Sequence, residues 1–202
     1  MFIRHLLKTT FILLLTLITG LAAAQDISLK LLPDSEISIE GTSNVRDWDA
    51  DVTTIHAELI LNGFEESDGI QNLSPAHFKT LTLRMPVKGI DAGGRSLTNN
   101  IQKYLKKDDY PDITFKLNKI SEVQVNDSEV ILTADGVINA AGKDHSVTLK
   151  VNGSTDNQGT LVFSGTQELK MTDFDIEPPT AIFGTVRAVD EFSVHFSVKF
   201  QN

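Results

Sequence analysis

Apolar residues recur at every second position through most of this chain. The last segment shows it best: Phe192, Val194, Phe196, Val198 and Phe200 share one face, and Ser193, His195, Ser197 and Lys199 share the other. A strand turns successive side chains to opposite faces, so this alternation predicts a half-buried β-strand. Ile37 and Ile39 alternate in the same way, as do Leu81, Leu83, Met85 and Val87. So do Ile113, Phe115 and Leu117, then Val147, Leu149 and Val151, then Leu161 and Phe163. Turn signals separate the runs at Asn62-Gly63, Ser67-Asp68-Gly69, Asn126-Asp127-Ser128, Ala141-Gly142-Lys143-Asp144 and Asn152-Gly153. Short strands in this succession predict an antiparallel sandwich or barrel. Pro86 lies within a strand pattern, which predicts an edge or a bulge there.

One segment departs from period two. Between Ser96 and Lys107, Leu97, Ile101, Tyr104 and Leu105 recur at helical spacing. Ser96 or Thr98 is a candidate N-cap. Lys106 and Lys107 suit the negative end of the helix dipole, and Tyr110-Pro111 stops the helix. The expected architecture is therefore all-β and antiparallel, with one short amphipathic helix. The apolar stripe of that helix needs a surface to lie on, and the open end of a barrel offers one.

The N-terminus adds a location. Arg4 and Lys8 precede an apolar run from Phe11 to Leu21, followed by Ala22-Ala23-Ala24. A positive start, a short apolar stretch and small residues at the end define a secretory signal peptide, expected over residues 1–24. A retained anchor is the alternative, but it needs about 20 apolar residues. The remaining domain, 25–202, is long enough for one sizeable core and is expected in the periplasm or outside the cell, without a stable membrane anchor. Loss of Arg4 and Lys8 leaves 16 basic against 27 acidic side chains, a net charge of −11. Such a surface repels phosphate backbones, so nucleic acid is excluded as a partner. The absence of cysteine excludes disulfides, thiolate catalysis and thiolate metal sites. A homodimer is left open.

Catalytic patterns are missing. His56, His77, His145 and His195 do not stand at ligand spacing, so no metal site is expected. Asp47, Asp49 and Asp51 alternate, as do Asp173 and Asp175 with Glu177. They read as solvated acidic faces rather than a calcium loop, which would need the Gly and distal Glu of that motif. There is no Gly-x-Ser-x-Gly elbow, and no pair of carboxylates is singled out for glycoside hydrolysis. Gly89–Gly94 lacks the Lys-Ser/Thr of a phosphate loop and reads as a turn from strand to helix. No cofactor is implied. Arg46 and Arg95 are candidates for meeting a polar head group at a barrel mouth. Trp48 is a candidate for stacking on such a group or for plugging the barrel end.

The motifs come in a recognisable order. Gly41-Thr-Ser-Asn-Val-Arg-Asp-Trp48 is followed by Met85-Pro-Val-Lys-Gly-Ile90 and by Leu105-Lys-Lys-Asp-Asp-Tyr-Pro-Asp-Ile-Thr-Phe115. Then come Ala134–Leu149 and the run Leu169–Gly184, which contains Asp-Phe-Asp-Ile-Glu-Pro-Pro-Thr-Ala. Over residues 35–200 this succession resembles the YceI-like family of lipid- or polyisoprenoid-binding domains. The resemblance implies a lipocalin-like β-barrel of about eight strands, whose elongated apolar interior holds a long isoprenoid tail. It also implies an exported, non-catalytic protein carrying a polyprenyl lipid or isoprenoid quinone. The family commonly has Gly where this chain has Asp175. On this reading Leu83, Met85, Phe115, Phe163, Phe183 and Phe196 line the barrel. Leu97, Ile101 and Leu105 belong to a helical lid. Phe174 belongs to a second lid running to Gly184, and Arg46 and Trp48 stand at the mouth. Two alternatives remain at this point: a filled-core interaction module, and an enzyme acting on an apolar substrate in the same cavity.

Overall fold

The computed structural model describes residues 25–65, 69–126, 129–181 and 184–202. The expected signal peptide lies outside these residues, as do parts of the turns at Ser67-Asp68 and Asp127-Ser128.

The predicted alternation becomes one antiparallel sheet that closes on itself. Its strands are β1 (Asp26–Leu31), β2 (Glu36–Ser43), β3 (Asp47–Val52), β4 (His56–Asn62), β5 (Phe78–Pro86), β6 (Ile90–Asp91), β7 (Asp112–Asn126), β8 (Glu129–Ala140), β9 (Lys143–Thr155), β10 (Leu161–Lys170) and β12 (Val186–Gln201). A two-residue strand, β11 (Thr180–Ala181), pairs only with the start of β12. Three pairs of short strands act as single interrupted ones: β1 with β2, β3 with β4, and β5 with β6. Each pair keeps to one neighbour line, β2 on β3 and β1 on β4, then β6 on β3 and β5 on β4. Counted this way, eight strands run up and down in chain order. β12 closes the ring, pairing with β10 on one edge and with β2 and the end of β1 on the other. Closure leaves no long strand edge to attract another chain.

The β8–β9 hairpin shows why the chain turns where it does. Ala141 and Gly142 both have positive φ, 51° and 82°, the signature of a two-residue type I′ turn. A Cβ on Gly142 would come within 2.3 Å of the Tyr110 ring, so glycine is required twice over. Asn152-Gly153, expected as a turn, lies instead inside β9. Gly153 is there because Val130, Ile70 and Phe163 press against it. The chain reverses three residues later, where the Asp156 carboxylate accepts from the backbone N–H groups of Gln158 (2.8 Å) and Thr160 (3.0 Å). Pro86 ends β5, and a 3-10 turn over Val87–Gly89 follows.

The helix, α1 (Arg95–Tyr104), is capped by Gly94 rather than by Ser96 or Thr98. Thr98 sits in the first turn and reaches back. Its Oγ1 accepts from the Ala92 N–H (3.0 Å) and donates to the Asp91 carboxylate (3.1 Å). Buried Gln102 fixes the other flank, donating to the carbonyls of Ile90 (3.0 Å) and Lys88 (3.3 Å) while accepting from Lys107 Nζ (3.1 Å). The helix is thus fastened to the strand that precedes it.

One end of the barrel is sealed. Phe64, Ile70 and Leu73, from the long β4–β5 connection, are buried with Leu61, Val130, Leu161 and Phe200. The opposite end carries α1, the β2–β3 turn and the β10–β12 connection. Surface ion pairs such as Lys199–Asp34 (2.6 Å) and Arg84–Asp112 (3.1 Å) are exposed and hold the fold weakly.

Two outcomes follow for stability. Phe200→Ala, at the sealed end, is expected to lower the free energy of unfolding by about 3–5 kcal/mol in urea titrations. The carboxyls of Asp26, Asp34, Asp135 and Asp156 are held below their ordinary 3.8. The causes are hydrogen bonds from Lys79, from Lys199, from Thr148, and from the backbone N–H groups of Gln158 and Thr160, respectively. A carboxyl depressed in the folded state favours folding above its ordinary value, and that contribution is lost as pH falls through the lowered one. The urea midpoint is therefore expected to hold between pH 7 and 5 and to drop below pH 4. Asp156→Asn is expected to flatten that drop.

Candidate functional site

The inward faces of the strands enclose a cavity of about 630 Å³ rather than a packed core. Its floor is aromatic. Phe163 meets Phe78 edge-on at 6.5 Å and Phe200 in a tilted contact at 6.3 Å between ring centroids. Its wall is mainly aliphatic and aromatic, including Ile37, Leu81, Leu132, Leu149 and Val151, and all five alternating residues of β12.

Glycines keep this space open. A Cβ on Gly41 would lie 2.2 Å from the Trp48 ring, on Gly136 2.5 Å from the Phe115 ring, and on Gly165 2.8 Å from the Phe196 ring. Gly41–Trp48 and Gly165–Phe196 are directly paired across neighbouring strands. A ring laid over a bare glycine lies along the wall instead of projecting across the lumen.

Polar groups gather at the mouth. Ser43 ends β2, Arg46 comes from the β2–β3 turn, Ser96, Asn100 and Lys103 from α1, and Thr180 from β11. Arg46, Ser96, Asn100 and Lys103 are exposed, which marks the opening. Among the described residues no Asp or Glu lines the cavity, although the chain has 27 of them. Leu97, Ile101, Tyr104 and Leu105 turn the helix stripe inward over the opening. Phe174, buried in the 3-10 turn Met171–Phe174, completes the rim and meets His145 edge-on at 5.5 Å. That turn is tied to β12 through Asp190, which accepts from Thr172 Oγ1 (2.6 Å) and the Thr172 N–H (3.0 Å). Burial works to raise the Asp190 pKa, but these hydrogen bonds outweigh it and hold the carboxyl low. Asp175 takes the left-handed conformation at φ 54° and pairs with Lys143 at 3.0 Å.

Arg46, Trp48, Leu83, Met85, Leu97, Ile101, Leu105, Phe115, Phe163, Phe174 and Phe196 all border this single cavity. Phe183 lies outside the described residues. Arg95, at the exposed start of α1, does not border the cavity. Gln167 is an inward-facing residue that the sequence reading passed over. Its place is legible from the alternation Leu161, Phe163, Gly165, Gln167, Leu169. Asp47, Asp49 and Asp51 point outward into solvent. His195 also points outward, with Nδ1 2.9 Å from Thr166 Oγ1 and Nε2 3.3 Å from Glu40. Among the described residues no cluster of His, Asp and Glu has a metal-holding arrangement. None of their helices is long and apolar enough to cross a membrane.

An eight-stranded antiparallel barrel, sealed at one end and roofed by a short helix at the other around an apolar lumen, is a lipocalin-like architecture. The model of the YceI-like domain matches residues 35–200, and the chain belongs to that family. Solved structures share the fold. The polyisoprenoid-binding domain from Saccharophagus degradans, described as implicated in plant cell wall breakdown, aligns with a TM-score of 0.63 at 10% identity, covering 88% of this chain and 98% of that one. BcnA of Burkholderia cenocepacia aligns with a TM-score of 0.58 at 18% identity, covering 82% and 95%. The Campylobacter jejuni YceI protein aligns with a TM-score of 0.55 at 17% identity, covering 76% and 84%. No curated protein matches the chain.

The glycine seats give a direct test. Gly41→Ala is expected to push the Trp48 ring off the wall and to cost about 1–3 kcal/mol by overpacking. As Trp48 is the single tryptophan, its fluorescence emission should shift, and the capacity for an apolar fluorescent probe should fall.

Proposed function

We propose that this protein is an exported, non-catalytic carrier that holds a lipid with a long isoprenoid tail inside the barrel. The observation that carries the reading is the lumen itself: about 630 Å³ of apolar space with an aromatic floor and polar groups concentrated at one mouth. Ligand pockets span about 300–1,000 Å³, so this volume suits a slender molecule. Each buried methylene contributes about 0.8 kcal/mol, so a few isoprene units supply useful affinity after the cost of association is met. A tail-down, head-up orientation follows from the distribution of polarity. Family membership and the polyisoprenoid-binding domain among the structural neighbours support the same ligand class. The signal pattern of residues 1–24 supports delivery to a periplasm or beyond, where a free prenyl lipid is insoluble.

On this reading α1 is a lid, fastened by Gln102 and presenting Leu97 and Ile101 to the bound tail. Native mass spectrometry of protein from its own host, followed by organic extraction, is expected to show one prenyl lipid per chain. A protein that stays empty when offered prenyl lipids and quinones would sink the proposal. Ile101→Asp is expected to weaken tail binding at least tenfold, since it sets a charge against the apolar chain. Unchanged affinity and unchanged stability in that variant would exclude the lid role.

A further inference from the structure

We infer that Gln167 is a hydrogen-bonding post inside the lumen, and that it receives an uncharged hydroxyl or carbonyl of the bound lipid. This rests on the carrier reading and specifies the head group.

This amide stands apart from the other polar groups of the lining. The other polar lining residues noted above belong to rim segments, namely the last residue of β2, the β2–β3 turn, α1 and β11. Gln167 instead lies within β10, paired across to Val194 and flanked on its own face by Gly165 and Leu169. Its Nε2 donates to the carbonyl of its neighbour Glu168 at 2.8 Å. Among the described residues nothing donates to its Oε1, and one amide N–H is left over. The amide oxygen and the spare N–H are therefore left for water or for a ligand to satisfy. A lone water is a poor solution, because an ordered water needs two to four polar partners and this stretch of wall offers one side chain. A hydroxyl or carbonyl brought in by the ligand satisfies the amide directly.

Charge then narrows the chemistry. The charged lining residues, Arg46 and Lys103, are both on the rim, and no cation stands beside Gln167 on its strand. A phosphate drawn to this depth would be desolvated without a counter-charge, which is strongly unfavourable. A neutral alcohol, phenol or quinone carbonyl carries no such cost. The lipid head is therefore drawn just inside the mouth, with the tail running on towards the phenylalanine floor.

The test compares three C20 probes of like length: geranylgeraniol, geranylgeranyl phosphate and the saturated hydrocarbon phytane. Each is titrated against the protein while Trp48 fluorescence is followed. Wild type is expected to favour the alcohol over the hydrocarbon by about five- to tenfold, one hydrogen bond's worth. Gln167→Leu should abolish that preference, leave hydrocarbon binding unchanged or tighter, and melt at the same or a higher temperature. Gln167→Met serves as a second variant should Leu fail to fold. A preference that survives in either folded variant overturns the inference. So does a phosphate probe that binds more than tenfold tighter than the alcohol and loses that advantage in Arg46→Ala or Lys103→Ala, which places the head at the rim. If wild type binds none of the probes, the carrier reading fails, rather than the role of Gln167 within it.

Discussion

Closure of the sheet along β12 is the constraint on which the rest depends. This strand runs 16 residues and is hydrogen-bonded along both edges, to β10 on one side and to β2 and β1 on the other. Because it belongs to both sides of the ring, its register fixes which face of every neighbouring strand turns inward. A slip of one residue would send Phe192, Val194, Phe196, Val198 and Phe200 to solvent and put Ser193, His195 and Lys199 in the lumen. That penalty is large enough to specify a single pairing. The bulge between Ala188 and Phe192 absorbs the mismatch where the strand leaves the barrel for the mouth.

Given closure, the interior is a contest between filling and opening. An eight-stranded barrel is narrow enough that its own side chains can occupy it. Here the rings of Trp48, Phe115 and Phe196 are seated against glycines. The sealed end is packed around Phe64, Ile70 and Phe200. A second buried cluster, with Leu169, Met171, Phe174 and Ile176 against Ala140 and Val147, packs at the mouth end. Polar fastenings add to it there: Gln102 on the carbonyls of residues 88 and 90, and Asp190 on Thr172.

Electrostatics divide the molecule in the same way. Among the described residues, acidic side chains lie on the outer wall, as Asp47, Asp49 and Asp51 do on β3, and none lines the lumen. The outside carries the charge and the inside is mainly apolar. Among the described residues, only Arg46 and Lys103 bring charge to the lining, both at the mouth.

Strand identity, inward faces and the helix stripe were legible in the sequence because period two and period 3.6 are local properties of the chain. Leu97, Ile101 and Leu105, and the alternating residues of β12, sit where their spacing implies. Local signals failed where contacts distant in sequence intervene. Asn152-Gly153 has the composition of a turn, yet Gly153 serves the packing of Val130, Ile70 and Phe163 from three other segments. Ser96 and Thr98 have the chemistry of caps, yet the chain entering from β6 makes Gly94 the cap and turns Thr98 back towards Asp91. That the aromatics line a cavity instead of filling it was decided by the tertiary structure alone. Residue type records that a phenylalanine is buried, but only the glycine opposite it on the next strand determines whether its ring lies along the wall or across the space.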